Sequence, residues 1–140
     1  MGNADTIKAV TANLTAILTA QGFLIENSST DTELATSPLC AIRYTGERFD
    51  ASHGERPSYN EVRYSLRISF SDAYPSTSRD KVAEWMHKIR GAVTVPALNT
   101  GDLAASQLVS RVSHDGYSET DYNTPVTELE YNLQVRYREL

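Results

Sequence analysis

The sequence predicts an α+β domain in which two main helices pack on an antiparallel, or mixed, β-sheet. Two segments, Asn60–Phe70 and Thr127–Arg138, alternate apolar and polar residues, which is typical of strands with one buried face. Two others, Asp5–Gln21 and a segment ending at Arg90, carry apolar residues at helical spacing. Because its 140 residues contain no linker or repeat, we expect a single domain over residues 1–140.

The segment Asn60–Phe70 defines the predicted sheet. Its alternate apolar residues are Val62, Tyr64, Leu66, Ile68 and Phe70, and its intervening polar residues are Glu61, Arg63, Ser65, Arg67 and Ser69. In Thr127–Arg138 the apolar residues are Leu129, Tyr131, Leu133, Val135 and Tyr137. Successive side chains of a strand point to opposite faces. Each strand is therefore expected to face the core on one side and solvent or a partner on the other.

The two predicted helices each have one apolar stripe. In the first, the stripe consists of Ile7, Val10, Leu14, Ile17 and Leu18. We expect Asn3 or Asp5 to cap its start and Gly22 to follow its end. In the second, which starts at a cap on Ser76 or Ser78, the stripe consists of Val82, Trp85, Met86 and Ile89. One stripe per helix predicts one buried face, packed on the sheet.

The remaining segments are shorter. Strands are predicted at Phe23–Ile25, Leu39–Thr45, Val93–Val95 and Leu108–Ser113, and a short helix at Thr100–Ser106, capped by Thr100 or Asp102. Polar residues predict a loop at Glu26–Ser37 and a turn at Asp115–Pro125. A long mobile hairpin loop is predicted near 46–58, where its length favours a functional arm or disorder.

The composition disfavours several classes of protein. The net charge of −5 disfavours nucleic-acid binding, because phosphate contacts need clustered Lys and Arg. The single cysteine, Cys40, lies in an apolar segment and is predicted to be a small buried hydrophobic residue. No signal-peptide pattern and no apolar segment of membrane-spanning length are present, so we expect a cytoplasmic protein without membrane contact.

No catalytic, cofactor-binding or metal-binding motif is present in the sequence. An enzymatic or ligand-binding alternative would rest on His114, Glu128 and Glu130, of which the two glutamates share a strand face. An RNA-binding alternative would use arginine and tyrosine on the open sheet face, against the overall negative charge.

The polar strand faces are better candidates for a protein interface, because arginine and tyrosine are enriched in protein contacts. The candidate interface residues are Arg63, Arg67, Glu128, Glu130 and Arg136 on the strand faces, together with Arg48 and Arg56 in the predicted loop Glu47–Arg56. If the two long strands are neighbours, their acidic and basic residues face each other across the strands.

The ending PVTELEYNLQVRYREL, an acid-dotted strand with Arg-Tyr-Arg near its end, resembles the ending of tail-terminator and tail-completion proteins of long-tailed bacteriophages. The N-terminal helix running into QGF, the paired strands with a charged loop between them and the Trp-bearing helix are similar in layout to the same family. The resemblance implies an α+β fold and a structural protein of the phage or prophage virion, without catalysis or cofactor.

The resemblance also implies a homo-oligomeric ring, usually a hexamer, at the head-proximal end of the tail. Such a ring stops polymerisation of the tail tube and joins the head–tail connector protein. Its partners would be itself, the tail tube protein and the connector, and DNA would pass without specific binding. The protein would be found in the host cytoplasm during assembly and then in the virion tail. Another head–tail neck or joining protein is the nearest alternative.

Overall fold

A computed structural model describes residues 3–25, 38–50, 59–71, 75–123 and 126–138. The elements in chain order are α1 (Asn3–Ala20), β1 (Leu24–Ile25), β2 (Leu39–Asp50), β3 (Tyr59–Ser71), α2 (Pro75–Ala92), α3 (Val95–Leu98), a 3-10 turn (Gly101–Leu103), β4 (Val109–Asn123) and β5 (Val126–Arg138). The predicted loop Glu26–Ser37 lies outside the described residues.

Within the described residues, five strands form one sheet in the order β1-β2-β3-β5-β4. β2, β3, β5 and β4 pair antiparallel with their neighbours, whereas β1 pairs in parallel with the start of β2. The sheet is therefore mixed. With the helices packed on it, the predicted α+β fold class is confirmed. The two strands with the clearest alternation, β3 and β5, are direct neighbours at the centre of the sheet.

The core lies between the helices and one face of the sheet. The inward-facing residues of the two central strands are at most 3% exposed, and those described are Val62, Tyr64, Leu66, Ile68, Leu129, Tyr131, Leu133, Val135 and Tyr137. They pack with the apolar stripes of the helices, which include Leu14, Leu18, Met86 and Ile89. Cys40 is fully buried among them, as predicted. The side chain of Phe70, predicted for the same face, lies outside the described residues.

Helix α1 begins at Asn3, so Asp5 lies in its first turn, where a carboxylate suits the helix dipole. Its threonines donate hydrogen bonds to carbonyls one turn earlier, as Thr15 does to Thr11 at 2.9 Å. The helix ends just before Gly22, whose φ of +101° favours glycine. The side-chain amide of Asn13 donates to the carbonyls of Leu98 and Thr100, which fixes α1 to the segment after α2.

The hairpin loop predicted near 46–58 is shorter than expected. β2 continues to Asp50, so residues 46–50 form a strand paired with the start of β3. A register shift between Tyr44 and Gly46 allows the strand to continue through a stretch whose glycine and mixed charge indicated a loop. Residues 51–58, including Arg56, lie outside the described residues.

The turn predicted at Asp115–Pro125 is wrong over most of its length, because β4 runs to Asn123. Register shifts between Val109 and Arg111, between His114 and Gly116, and between Glu119 and Asp121 break the alternation of this strand. Gly116 adopts φ +100° at the second shift. Turn-forming residues therefore mark bulges here, and pairing with β5 keeps the chain extended.

The connection between α2 and β4 is helical. The strand predicted at Val93–Val95 is wrong, since Thr94 caps the short helix α3 by accepting a hydrogen bond from the amide of Ala97. The predicted helix at Thr100–Ser106 is a single 3-10 turn. α2 begins at Pro75, so the predicted caps Ser76 and Ser78 lie inside the helix. Proline suits a first helical turn, because that turn needs no amide donor.

Candidate functional site: the polar face of the sheet

The side of the sheet opposite the helices is polar, and we call it the polar face. Cross-strand register places Arg48, Glu61, Arg136 and Arg111 side by side on it, in a row that crosses β2, β3, β5 and β4. Its charged members among the described side chains are Arg43, Arg48, Glu61, Arg63, Arg67, Arg111, Asp115, Glu128, Glu130, Arg136 and Arg138. These residues belong to the same strands whose alternate side chains build the core.

The charge of the polar face is opposite to that of the whole chain. The described side chains of this face include seven arginines and four carboxylates, whereas the chain has a net charge of −5. The three lysines of the chain, Lys8, Lys81 and Lys88, are all on the helices α1 and α2. Arginine alone therefore supplies the positive charge of the polar face, and its planar fork suits carboxylates and phosphates.

At one end of the strands, Arg48, Arg136 and Arg111 surround Glu61, and we call these four residues the arginine row. The guanidinium of Arg136 lies over the ring of Tyr59, 4.6 Å from its centroid. Two small cavities of about 90 and 60 Å³ flank Arg136. Among the described side chains, neither Arg48 nor Arg111 has a carboxylate within 4 Å. Arg48 and Arg111 therefore have no described carboxylate close enough to neutralise them.

At the other end of the strands, Glu128 and Glu130 lie beside Arg67, and we call these three residues the acidic end. Arg67 pairs in register with Glu130, and its Nε lies 3.8 Å from a carboxylate oxygen of Glu128. The hydroxyl of Ser65 donates to Glu130 at 2.8 Å. Both side chains of the ion pair are partly exposed, so the pair contributes well under 1 kcal/mol to stability.

The structure brings most of the sequence-predicted interface residues onto this one face. Arg48, Arg63, Arg67, Glu128, Glu130 and Arg136 all lie on it, whereas Arg56 is outside the described residues. The predicted cross-strand pairing of acids and bases is present, because β3 and β5 are neighbours. Sequence reasoning missed Arg43, Arg111 and Arg138. Arg111 lies beside a register shift that interrupts the apolar–polar alternation of its strand. The sequence therefore indicated only that its segment is a strand, and not which face Arg111 occupies.

His114 lies on the opposite side of the sheet from Glu128 and Glu130. It pairs in register with Leu133 on the core side, where its Nε2 donates to the carbonyl of Val93 at 2.9 Å. Its Nδ1 then accepts from the hydroxyl of Tyr131 at 2.6 Å. The three groups on which the enzymatic alternative rested do not converge in the structure.

Two tyrosine hydroxyls on the core side ionise with difficulty. Burial raises the pKa of Tyr131 to about 12, against the smaller lowering effect of Arg90. Burial also raises the pKa of Tyr64, although its hydrogen bond with Thr11 opposes the shift. In both cases the fold favours the neutral phenol, because burial penalises the charged form.

Over the described ranges, no group of three or more potential metal ligands occurs. The same residues include no helix that is both long and apolar enough to cross a membrane.

The sequence matches no family model, and no curated protein is significantly similar to it.

Proposed function

We propose that this chain is a structural assembly protein, a tail terminator of a long-tailed phage or prophage. In this proposal it forms a ring at the head-proximal end of the tail, stops polymerisation of the tail tube and joins the tail to the head connector. Its partners are other copies of itself, the tail tube protein and the connector protein. It requires no cofactor, catalyses nothing and has no membrane partner.

The observation that carries the proposal is the asymmetry of the sheet. One face is buried by helices, whereas the charged side chains of the other remain half-buried or exposed among the described residues. Its seven described arginines, with Tyr59 among them, give that face residue types that are enriched in protein interfaces. A ring subunit needs such contact surfaces on a rigid scaffold, and four long paired strands supply one.

The outer strands of the sheet also suit assembly. β4 forms one edge, and beyond Cys40 the outer side of β2 has no partner strand among the described residues. Tyr44 and Phe49 on β2 are about half exposed, as is Tyr117 on β4. Exposed edges with aromatic side chains are places where another protein chain can pair or pack.

The sign of the charge fits passage of DNA without capture. The net charge of −5 repels a phosphate backbone at long range, which suits a ring through which DNA moves freely. In the proposal, the protein is made and assembled in the host cytoplasm and ends in the virion tail.

The decisive experiment measures the oligomeric state. We expect native mass spectrometry across protein concentrations to show a cyclic oligomer, and electron microscopy to show rings that cap added tail tubes. Monomers at every concentration, with tubes whose ends stay bare, would contradict the proposal. Binding to the portal-side ring instead of the tube end would identify another neck protein. A salt-sensitive RNA complex would support the RNA-binding alternative.

A further inference from the structure

The charges of the polar face are separated along the strands. The arginine row and the neighbouring Arg138 lie at the end where β3 begins, and the acidic end lies where β3 finishes. Among the described side chains, the polar face therefore carries excess positive charge at one end and excess negative charge at the other.

The two ends do not neutralise each other within one molecule. Glu61 and Ser69, which mark the two positions on β3, are eight residues apart, or about 26 Å along a strand. Charges are screened over about 8 Å at physiological ionic strength. Each end therefore interacts mainly with charges that lie nearer to it than the other end.

The arginine row is shaped for carboxylate groups. Arg48, Arg136 and Arg111 project from separate strands, so their guanidinium groups can approach a partner side by side. The cavities on either side of Arg136, of about 90 and 60 Å³, are lined by Glu61 as well as by Arg48 on one side and Arg111 on the other. Arginine forks bind carboxylates through paired hydrogen bonds. The carboxylate of Glu61, in the middle of the row, repels a continuous line of phosphates, but it can form an ion pair with a cationic side chain of a partner.

The acidic end supplies the complementary pattern. Glu128 and Glu130 are two residues apart on one strand face, about 7 Å, so both can reach a surface that crosses the strands. Arg67 beside them can meet Glu61 while the glutamates meet Arg136 and its neighbours. The acidic end of a second copy therefore carries charges that are opposite in sign to those of the arginine row and alternate in a corresponding order.

We propose that the arginine row of one copy binds the acidic end of the polar face of the next copy. The contact joins different surfaces of identical chains. It forms a ring or a filament where each copy meets two neighbours, and it closes as a dimer where two copies pair both ends face to face. It rests on the proposed function, because it identifies the surfaces through which the ring subunits meet.

The test uses charge reversals and their combination. Arg48→Glu/Arg111→Glu removes the positive end, and Glu128→Lys/Glu130→Lys removes the negative end. We expect each double variant to remain folded by circular dichroism and to need on the order of 100-fold more protein for half-assembly, because like charges then meet. The variant with all four changes exchanges the two ends, and we expect it to assemble again by itself.

Matched controls make the same charge changes on the helical side. Lys8→Glu/Lys88→Glu and Asp80→Lys/Glu84→Lys alter exposed residues of α1 and α2, and both should assemble like the wild type. Native mass spectrometry and sedimentation at two salt concentrations provide the measurement, with weaker assembly of the wild type expected at higher salt.

The outcomes separate this contact from the proposed function. If the wild type forms rings and the reversals assemble equally well, the contact is wrong and the ring stands. Failure of the four-change variant to recover, while both double variants are blocked, also overturns the head-to-tail pairing. If the wild type stays monomeric even with tail tubes, the proposed function itself fails. If the arginine reversal abolishes salt-dependent binding of a DNA oligonucleotide but not assembly, the row binds phosphates instead.

Discussion

Replacing Asn99 is expected to destabilise the start of β4, because its side chain makes the two backbone hydrogen bonds that a neighbouring strand would otherwise make with Val109. Its amide nitrogen donates to the carbonyl of Val109 at 2.9 Å, and its oxygen accepts from the amide of the same residue at 3.0 Å. Both residues are at most 6% exposed, so water does not readily replace these bonds. Gln107 donates to the backbone carbonyl of Asn99 at 3.1 Å, which helps to hold the segment in place.

The cost of Asn99→Ala follows from the two groups it leaves behind. A buried amide or carbonyl without a partner costs about 1–3 kcal/mol, so the pair on Val109 costs about 2–6 kcal/mol. Domains are stable by only about 5–15 kcal/mol, so the loss should be large. Arg111 follows two residues later, and the same change should loosen its place in the arginine row.

Urea unfolding followed by circular dichroism measures the free energy of unfolding, and hydrogen exchange measures the protection of the Val109 amide. The matched control is Asn132→Ala on the polar face, where the amide side chain has no hydrogen bond to another described residue. We expect the control to change stability by about 0.5 kcal/mol or less. If Asn99→Ala costs no more than the control and Val109 keeps its protection, the reasoning is refuted.

Three further changes test other parts of the fold. Leu66→Ala, at a position with 0% exposure on central β3, should lower the free energy of unfolding by about 2–5 kcal/mol, and a urea midpoint near that of the wild type would contradict this. Gly22→Ala should lower the free energy of unfolding by about 1–2 kcal/mol, because it forces a side chain to φ +101° with its Cβ 3.3 Å from Trp85. Gly91→Ala is the control, because no atom lies within 4 Å of the added Cβ. It should raise the midpoint of thermal unfolding slightly. Because the pKa of Tyr131 is raised in the fold from 10.0 to about 12, the stability it contributes is complete below pH 10 and is lost as pH rises towards 12. Between pH 10 and pH 12, the Tyr131→Phe variant should therefore lose less free energy of unfolding than the wild type, as measured by urea unfolding at each pH. Equal losses would contradict the raised pKa of Tyr131.

The polar face also shows where local patterns mislead. Gly46 and the Asp115-Gly116 pair have the residue types of turns, and both lie at register shifts within long strands. A bulge and a turn use the same backbone freedom, so the residue type alone does not separate them. Cross-strand pairing over many residues decides the outcome, and it depends on β3 and β5, the strands that follow these glycines in the chain.

The faces of the two central strands and the apolar stripe of each main helix can be predicted from local sequence. Alternation and helical spacing are local properties, and burial of apolar side chains makes only one orientation of each element stable. The alternate apolar residues from Val62 to Ile68 and from Leu129 to Tyr137 therefore lie in the core as predicted. The residues assigned to an interface from the same alternation lie together on the polar face.

The order of the strands, and with it the arginine row, depends on how the strands pair in the folded chain. Arg48, Glu61, Arg136 and Arg111 belong to four different strands, and nothing in their local sequences relates one to another. They form a row because β5 lies between β3 and β4 and because the register shifts in β2 and β4 bring Arg48 and Arg111 to the same level. The separation of charge along the polar face arises in the same way, since strand pairing adds up contributions that are far apart along the chain.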